Sequence, residues 1–237
     1  MSSAEFLRSE LRRVSGELRD AEGGLRNFPN QVPPVVSSAV SGPANDLADG
    51  CANAAGDADR VELNVRDDAA VQQAKDDWIA WAESVLETIT DFQTTEVGPQ
   101  HWSADGATAY ANARTPQSDA MTFIEQHARD IARELEIYGE AIDDFRNSGL
   151  LWVGEIVLLL ASIVAILATP VTFGVSGVLG IIGLVGSLVM MGFTIANLIE
   201  LANQLKDTTP FDELLATISS TPSLRSGEWP YALKAQD

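Results

Sequence analysis

Between Glu155 and Glu200 lies a run of 44 consecutive uncharged residues. It lies within two apolar pieces separated by a short Thr-Pro and Gly turn: Leu150–Ala168, which has Glu155 near its start, and Val175–Ile199, which has no charge. At 1.5 Å per residue, each piece is roughly 28–37 Å long as a helix, enough to cross a hydrocarbon core of about 30 Å. A small domain has little room to conceal two such helices. We therefore predict a two-pass transmembrane helical hairpin over residues 150–199.

The second apolar piece carries a glycine at every third position from residue 177 to residue 186. The glycines predicted to form its packing face are Gly177, Gly180, Gly183 and Gly186. Membrane helices associate through such small-residue faces because burial from water no longer drives them together. Simple tolerance of glycine in lipid is the alternative. The spacing predicts close packing within the hairpin or against a second copy.

The sequence of the first segment, residues 1–66, predicts two helices. Its first part has a heptad stripe formed by Leu7, Leu11, Val14, Leu18, Ala21 and Leu25. This 4-3-4-3-4 spacing is typical of a helix that packs along one side. A Pro/Ala/Gly-rich part follows, in which Pro33-Pro34 favours a helix start and Pro43 favours a break. Its predicted buried side contains Val36, Val40, Leu47 and Cys51.

Residues 67–149 predict a long antiparallel helical hairpin. Apolar residues recur at three or four positions from Val71 to Phe92, and again from Phe123 to Phe145, with Pro116 as a potential interruption. A Gly-Pro pair lies between the two stretches. Residues 200–237 contain three prolines and predict a short polar tail. No segment alternates like a strand, so the fold class is all-α, a helical hairpin or bundle followed by the transmembrane hairpin.

The charge balance restricts the partners. The chain has 15 basic and 34 acidic residues, a formal net charge of −19. Such a surface repels phosphate backbones, which excludes nucleic acid as a partner. Anionic lipid headgroups are also repelled, so attachment to membrane lipid must come from apolar burial. The first 20 residues are a charged amphipathic stretch rather than a signal peptide.

The sequence offers no arrangement of catalytic or metal-binding groups. The two histidines, His101 and His127, lack a metal-ligand spacing, and the single cysteine has no second cysteine to pair with. A closely spaced carboxylate run, Glu134 to Glu140, is typical of a solvated helix face. We predict no catalytic residue, no metal and no cofactor, and a protein that is not an enzyme.

The turn region of the long hairpin carries a recognisable pattern. Its residues are Trp102, Gly106, Ala107, Ala109 and Tyr110. A helix, a tryptophan turn and a helix that opens with two alanines and an aromatic residue resemble the WXG-type substrates of type VII secretion. This resemblance covers about residues 67–147, and Ala104 stands where that family has glycine. The family's export signal, Tyr followed four residues later by Asp or Glu, is also missing, because Ile142 follows Tyr138 at that distance.

The resemblance implies export without a cleaved signal peptide, pairing with a second helical-hairpin protein, and a role for the turn residues in that pairing. A hairpin followed by an apolar, glycine-rich segment also resembles the delivery portions of toxins exported by that system. Three functions remain open. They are a secreted or cell-surface protein that inserts its hairpin as a pore or delivery module, a resident double-pass scaffold or immunity protein, and a soluble α-helical pore-forming toxin. The expected protein partner is a second copy of this chain, as a homo-oligomer, or a second helical-hairpin protein.

Overall fold

The computed structural model describes residues 2–94, 104–168 and 175–220. They form α1 Ser3–Asn27, a 3₁₀ turn Phe28–Asn30, α2 Pro34–Glu62, α3 Ala69–Thr94, α4 Ala104–Leu167, α5 Val175–Gln204 and α6 Thr209–Ser220. The described residues contain no strand, which confirms the predicted all-α class.

The heptad stripe of α1 is buried along its whole length, as predicted. A capping box starts the helix: the backbone N–H of Glu5 donates to the Ser2 hydroxyl (3.2 Å), and the backbone N–H of Ser2 donates to the Glu5 carboxylate (2.9 Å). The helix ends at Asn27, two residues before Pro29. Local signals and the apolar period therefore agree for this element.

Two predicted proline interruptions are wrong. α2 continues through Pro43, and α4 continues through Pro116. A proline inside a helix costs about 3 kcal/mol because it removes one backbone hydrogen bond and crowds the preceding turn. In α2, the neighbours Val40 and Ala44 are fully buried, so packing on both sides of the proline offsets this cost. Val36, also predicted to be buried, is only half-buried.

Two predicted helix boundaries are also wrong. α4 runs without a break across the expected stop near Asn147, so the second hairpin helix and the first predicted membrane helix are one element of 64 residues. The polarity changes there, but the most strongly helix-weakening residue is Gly149, and one glycine costs only about 1 kcal/mol. At the other end, the predicted polar tail contains α6, in which Pro210 occupies the first turn, where proline is accepted.

The chain divides into two compact units. The first consists of Met1–Asp67 and Ala141–Lys206, and the second of Asp68–Glu140 and Asp207–Asp237. The predicted segments 1–66 and 150–199 therefore lie in the same unit.

In the first unit, α2 packs against both α1 and α5. α1 also lies along the second half of α4. The ideal Cβ position at Gly149 is 3.1 Å from a Leu7 methyl, and that at Gly24 is 2.8 Å from a Leu167 methyl. α1 and this part of α4 are thus parallel. The helical pair formed by α1 and α2, residues 3–62, is called the cover below because it lies against the apolar hairpin.

In the second unit, α3 runs antiparallel to the first part of α4. Gln93 donates to the Ser118 hydroxyl (3.0 Å) near one end, and Lys75 lies 3.8 Å from the Glu136 carboxylate near the other. The predicted hairpin over residues 67–149 therefore has its antiparallel helix pairing. Its connecting turn lies outside the described residues.

Candidate membrane-inserting hairpin

One face of the apolar hairpin is buried within the first unit. Its buried side chains are Trp152, Val153, Ile156, Leu159, Leu160 and Ile163 on α4, and Ile181, Met191, Ile195 and Leu198 on α5. They recur at helical spacing, so each helix presents one stripe to its neighbours. This face belongs to the hydrophobic core of the first unit.

The opposite face of the hairpin is apolar and open. Its large exposed side chains are Leu151, Val157, Leu158 and Val164 on α4, and Leu179, Ile182, Val189, Met190 and Phe193 on α5. Leu158 is 72% exposed and Phe193 is 65% exposed. An apolar surface of this extent marks a membrane or protein contact. By length and composition, two helical stretches qualify as candidate membrane spans, and only 33% and 17% of their apolar windows are buried.

The cover differs from the hairpin because its outer surface is charged. Arg12 of α1 pairs with Glu62 of α2 at 2.6 Å, and Arg26 pairs with Asp49 at 2.7 Å. Ser15, which is buried between the helices, donates to Asp59 (2.7 Å). The exposed ion pairs contribute little stability individually. They do make the cover amphipathic, with apolar side chains inside and charges outside.

The contact between α2 and the hairpin is imperfect. A cavity of about 270 Å³ lies there, lined by Asp57, Trp152 and Leu188 among others. Trp152 is 1% exposed, and its indole N–H has no hydrogen-bond partner in the part of the chain that the structure describes. Such an unsatisfied buried donor costs about 1–3 kcal/mol. Burial also raises the pKa of Asp57, and nearby Arg60 opposes this shift.

Cys51 has the structural environment of a small core side chain. It is fully buried in α2, and burial raises the pKa of its thiol to about 12. A thiol with this pKa is protonated at neutral pH, so it is a poor nucleophile and a poor metal ligand.

A groove of about 440 Å³ runs between α4 and α5 on the open side of the hairpin. Four polar residues line it, and they are called the polar seam below: Glu155, Ser162, Ser187 and Thr194. Seven residues separate the two members on each helix, so both members lie on one helix face. The seam holds the only charge within 150–199. It was not predicted from the sequence, although the seven-residue spacing of hydroxyl residues in an apolar run was a usable signal.

The predicted glycine face makes little contact in this structure. The ideal Cβ position at Gly180 is 4.0 Å from the Ile166 methyl, whereas added Cβ atoms at Gly183 and Gly186 would meet none of the described residues within 4 Å. The surroundings of Gly177 are not among the described features. Close packing at these glycines stays a prediction for the membrane state.

The predicted turn site is only partly described. Trp102 lies outside the described residues, and Gly106, Ala107, Ala109 and Tyr110 occupy the first turns of α4. Ala107 is exposed and Tyr110 is half-buried. Arg114, which the sequence did not predict as part of this site, donates to the Gln93 carbonyl (2.8 Å) and lies over the Phe92 ring (5.4 Å). A cation is favoured there because the last carbonyls of a helix have no backbone donor within the helix and carry a partial negative charge.

No protein family, curated protein or solved structure matches this chain. The described residues also contain no cluster of three or more His, Cys, Asp or Glu side chains that could hold a metal ion. The hairpin, with one covered face and one open face, is therefore the candidate functional site on its own physical evidence.

Proposed function

We propose that this protein inserts the α4–α5 hairpin, residues 150–199, into a lipid bilayer. The observation that carries the proposal is the open face, where large side chains such as Leu151 and Met190 are exposed on helices long enough to span the hydrocarbon core. The chain's charge of −19 gives no attraction to anionic headgroups. Apolar burial must therefore supply the binding free energy.

The cover cannot accompany the hairpin into the hydrocarbon. Its outer surface carries the Arg12–Glu62 and Arg26–Asp49 pairs, and charged side chains cost several kcal/mol or more at the bilayer centre. Insertion therefore requires the cover to separate from the buried hairpin face. The unsatisfied Trp152 N–H and the adjacent cavity weaken this contact. After release, Trp152 would reach the membrane boundary, where tryptophan is favoured.

A covered hairpin favours delivery from water over residence in a membrane from synthesis. This supports the exported and pore-forming hypotheses over the double-pass scaffold or immunity protein. We propose export through type VII secretion on the WXG-like residues at Trp102–Tyr110 and on the antiparallel α3–α4 pair. A pairing partner with its own export signal would supply the signal missing after Tyr138. Fractionation of the native cells tests this: the protein is expected in the medium, and Trp102→Ala reduces its export.

A disulfide between cover and hairpin tests the insertion proposal. The ideal Cβ position at Gly50 is 3.7 Å from the Leu188 Cβ, close to the separation of about 3.8 Å found in disulfides. Gly50→Cys with Leu188→Cys, in a Cys51→Ala background, therefore ties α2 to α5. Oxidised and reduced protein are mixed with phosphatidylcholine vesicles and extracted with alkaline carbonate.

We expect the reduced protein to resist extraction and the oxidised protein to be removed by it. The reduced sample is the matched control, since it carries the same substitutions. Equal insertion of both forms would show that the cover need not separate. Insertion of neither, with unmodified protein also failing, would overturn the membrane function.

A further inference from the structure

The polar seam is the feature that the insertion proposal leaves unexplained. Glu155 carries the only charge of the hairpin, and its carboxylate has no ion pair or hydrogen bond within the described ranges. Every hydroxyl side chain described between 150 and 199 lines the same groove: Ser162, Ser187 and Thr194. The adjacent Leu158 is apolar although it is 72% exposed, so exposure to water alone does not explain why the polar seam is polar.

The seam residues form two levels. α4 and α5 are antiparallel, so seven residues forward on one helix correspond to seven residues back on the other. Glu155 therefore shares a level with Thr194, and Ser162 shares a level with Ser187. The levels are about 10 Å apart along the hairpin. Towards the hairpin tip, Gly183 and Gly180 follow Ser187 on the same side of α5, and both are open.

In lipid, the level of this line that holds Glu155 and Thr194 needs a polar neighbour. Isolated carboxyl and hydroxyl groups are costly in hydrocarbon, and ionisable residues there face protein or water. The cover cannot supply the neighbour, because it packs on the opposite, buried face and cannot enter the hydrocarbon. Leucines and methionines flank the groove, so its occupant must itself have apolar flanks. A protein helix has such flanks, whereas a lipid headgroup does not.

We propose that the polar seam binds the polar seam of a second copy of this chain within the membrane. This inference rests on the proposed insertion. Two copies that enter the membrane in the same direction have their levels in register. A two-fold axis along the membrane normal then places α4 of one copy against α5 of the other. Glu155 of each copy meets Thr194 of the other, so a hydroxyl donor faces a carboxyl acceptor twice.

The serine level contributes differently. The Ser162 hydroxyl donates to the Leu158 carbonyl (2.9 Å), and the Ser187 hydroxyl donates to the Gly183 carbonyl (3.2 Å). Their donors are thus used within their own helices. At the interface these serine side chains matter because they are small. Together with Gly180 and Gly183, they let the two helix backbones approach closely.

Cross-linking between differently tagged copies tests the geometry. Single-cysteine variants Ser162→Cys and Ser187→Cys, each in the full chain with Cys51→Ala, are mixed, inserted into phosphatidylcholine vesicles and oxidised. We expect the mixed pair, one tag of each kind, to cross-link several-fold more than either variant with itself. Val157→Cys mixed with Val189→Cys is the off-seam control.

The chemical part of the proposal has its own variants. Glu155→Leu is expected to reduce the mixed cross-link several-fold, whereas Glu155→Gln, which keeps an acceptor oxygen, retains most of it. Carbonate resistance is measured on every sample, so failure to insert is separated from failure to pair. Inserted protein whose off-seam control cross-links equally overturns the seam contact. Labelling of Ser162→Cys by a membrane-impermeant thiol reagent without mixed cross-linking overturns it too, because water would then fill the groove.

Discussion

Each compact unit contains a long amphipathic helix, but its apolar stripe is buried in the first unit and only partly buried in the second. In the first unit, every member of the α1 stripe is buried. In the second, the stripe of α3 has only Ala82 and Ile89 buried, and Trp81 is 47% exposed. α1 has two neighbours, α2 and the second half of α4, whereas α3 pairs with the first half of α4. Apolar periodicity predicts that a face exists, but the number of neighbouring helices decides how much of it is covered.

The partly exposed face of α3 is where the predicted partner protein would bind. Trp78 and Trp81 meet edge to face, with ring centroids 5.4 Å apart, beside a shallow apolar depression. Aromatic residues of this kind are enriched at protein interfaces. A second helical-hairpin protein against this face stays a proposal.

Matched alanine substitutions in the two units give the largest expected effect. Leu18→Ala removes a fully buried α1 side chain and should lower the free energy of unfolding by about 2–5 kcal/mol. Trp81→Ala removes a half-exposed α3 side chain and should cost clearly less, despite the larger ring. Urea unfolding followed by circular dichroism measures both. Equal losses would mean that the α3 face is covered in solution, by self-association or otherwise.

The fold was predictable where local signals and periodicity coincide. The α1 stripe, Val40 and Leu47 of α2, and the antiparallel pairing of α3 with α4 follow from the spacing of apolar residues. Proline positions misled the prediction at Pro43 because tertiary packing outweighs a local penalty. The end of the hairpin helix near Asn147 also failed, since a change in polarity is not a helix stop.

The candidate site was predictable only in part. The apolar hairpin was evident from 44 uncharged residues, but its covered and open faces were not, because periodicity is weak in a helix that is apolar all round. The packing of α1 and α2 on this hairpin is a non-local contact that no short pattern encodes. The polar seam escaped because its members lie on two helices, about forty residues apart at the Glu155–Thr194 level.

A conservative change at Trp152 separates burial from hydrogen bonding at the covered face. Trp152→Phe keeps an aromatic ring and removes the unsatisfied N–H, so the gain of up to about 1–3 kcal/mol is offset by lost volume. We expect stability within about 1 kcal/mol of the original and slower insertion into phosphatidylcholine vesicles. Trp152→Ala, the control for volume alone, should be strongly destabilised. Faster insertion of the stable phenylalanine variant would show that the N–H does not weaken the cover.

The smallest expected effect concerns Asp57, at the cavity between α2 and the hairpin. Burial raises its pKa in the packed state, so that state binds the proton more tightly than the released state does. The resulting penalty is absent below the ordinary aspartate pKa of about 4, grows as pH rises through the raised value, and is complete at neutral pH. Asp57→Asn should therefore raise the Tm at pH 7 by at most about 2 °C. It should have no effect on Tm near pH 3.

The effect is small because Arg60, 3.2 Å away, already offsets part of the charge. Asp49→Asn, which neutralises an exposed carboxylate of α2, is the matched control. A lower Tm for Asp57→Asn at pH 7 would mean that the pairing with Arg60 outweighs burial, and that this carboxylate holds the cover in place.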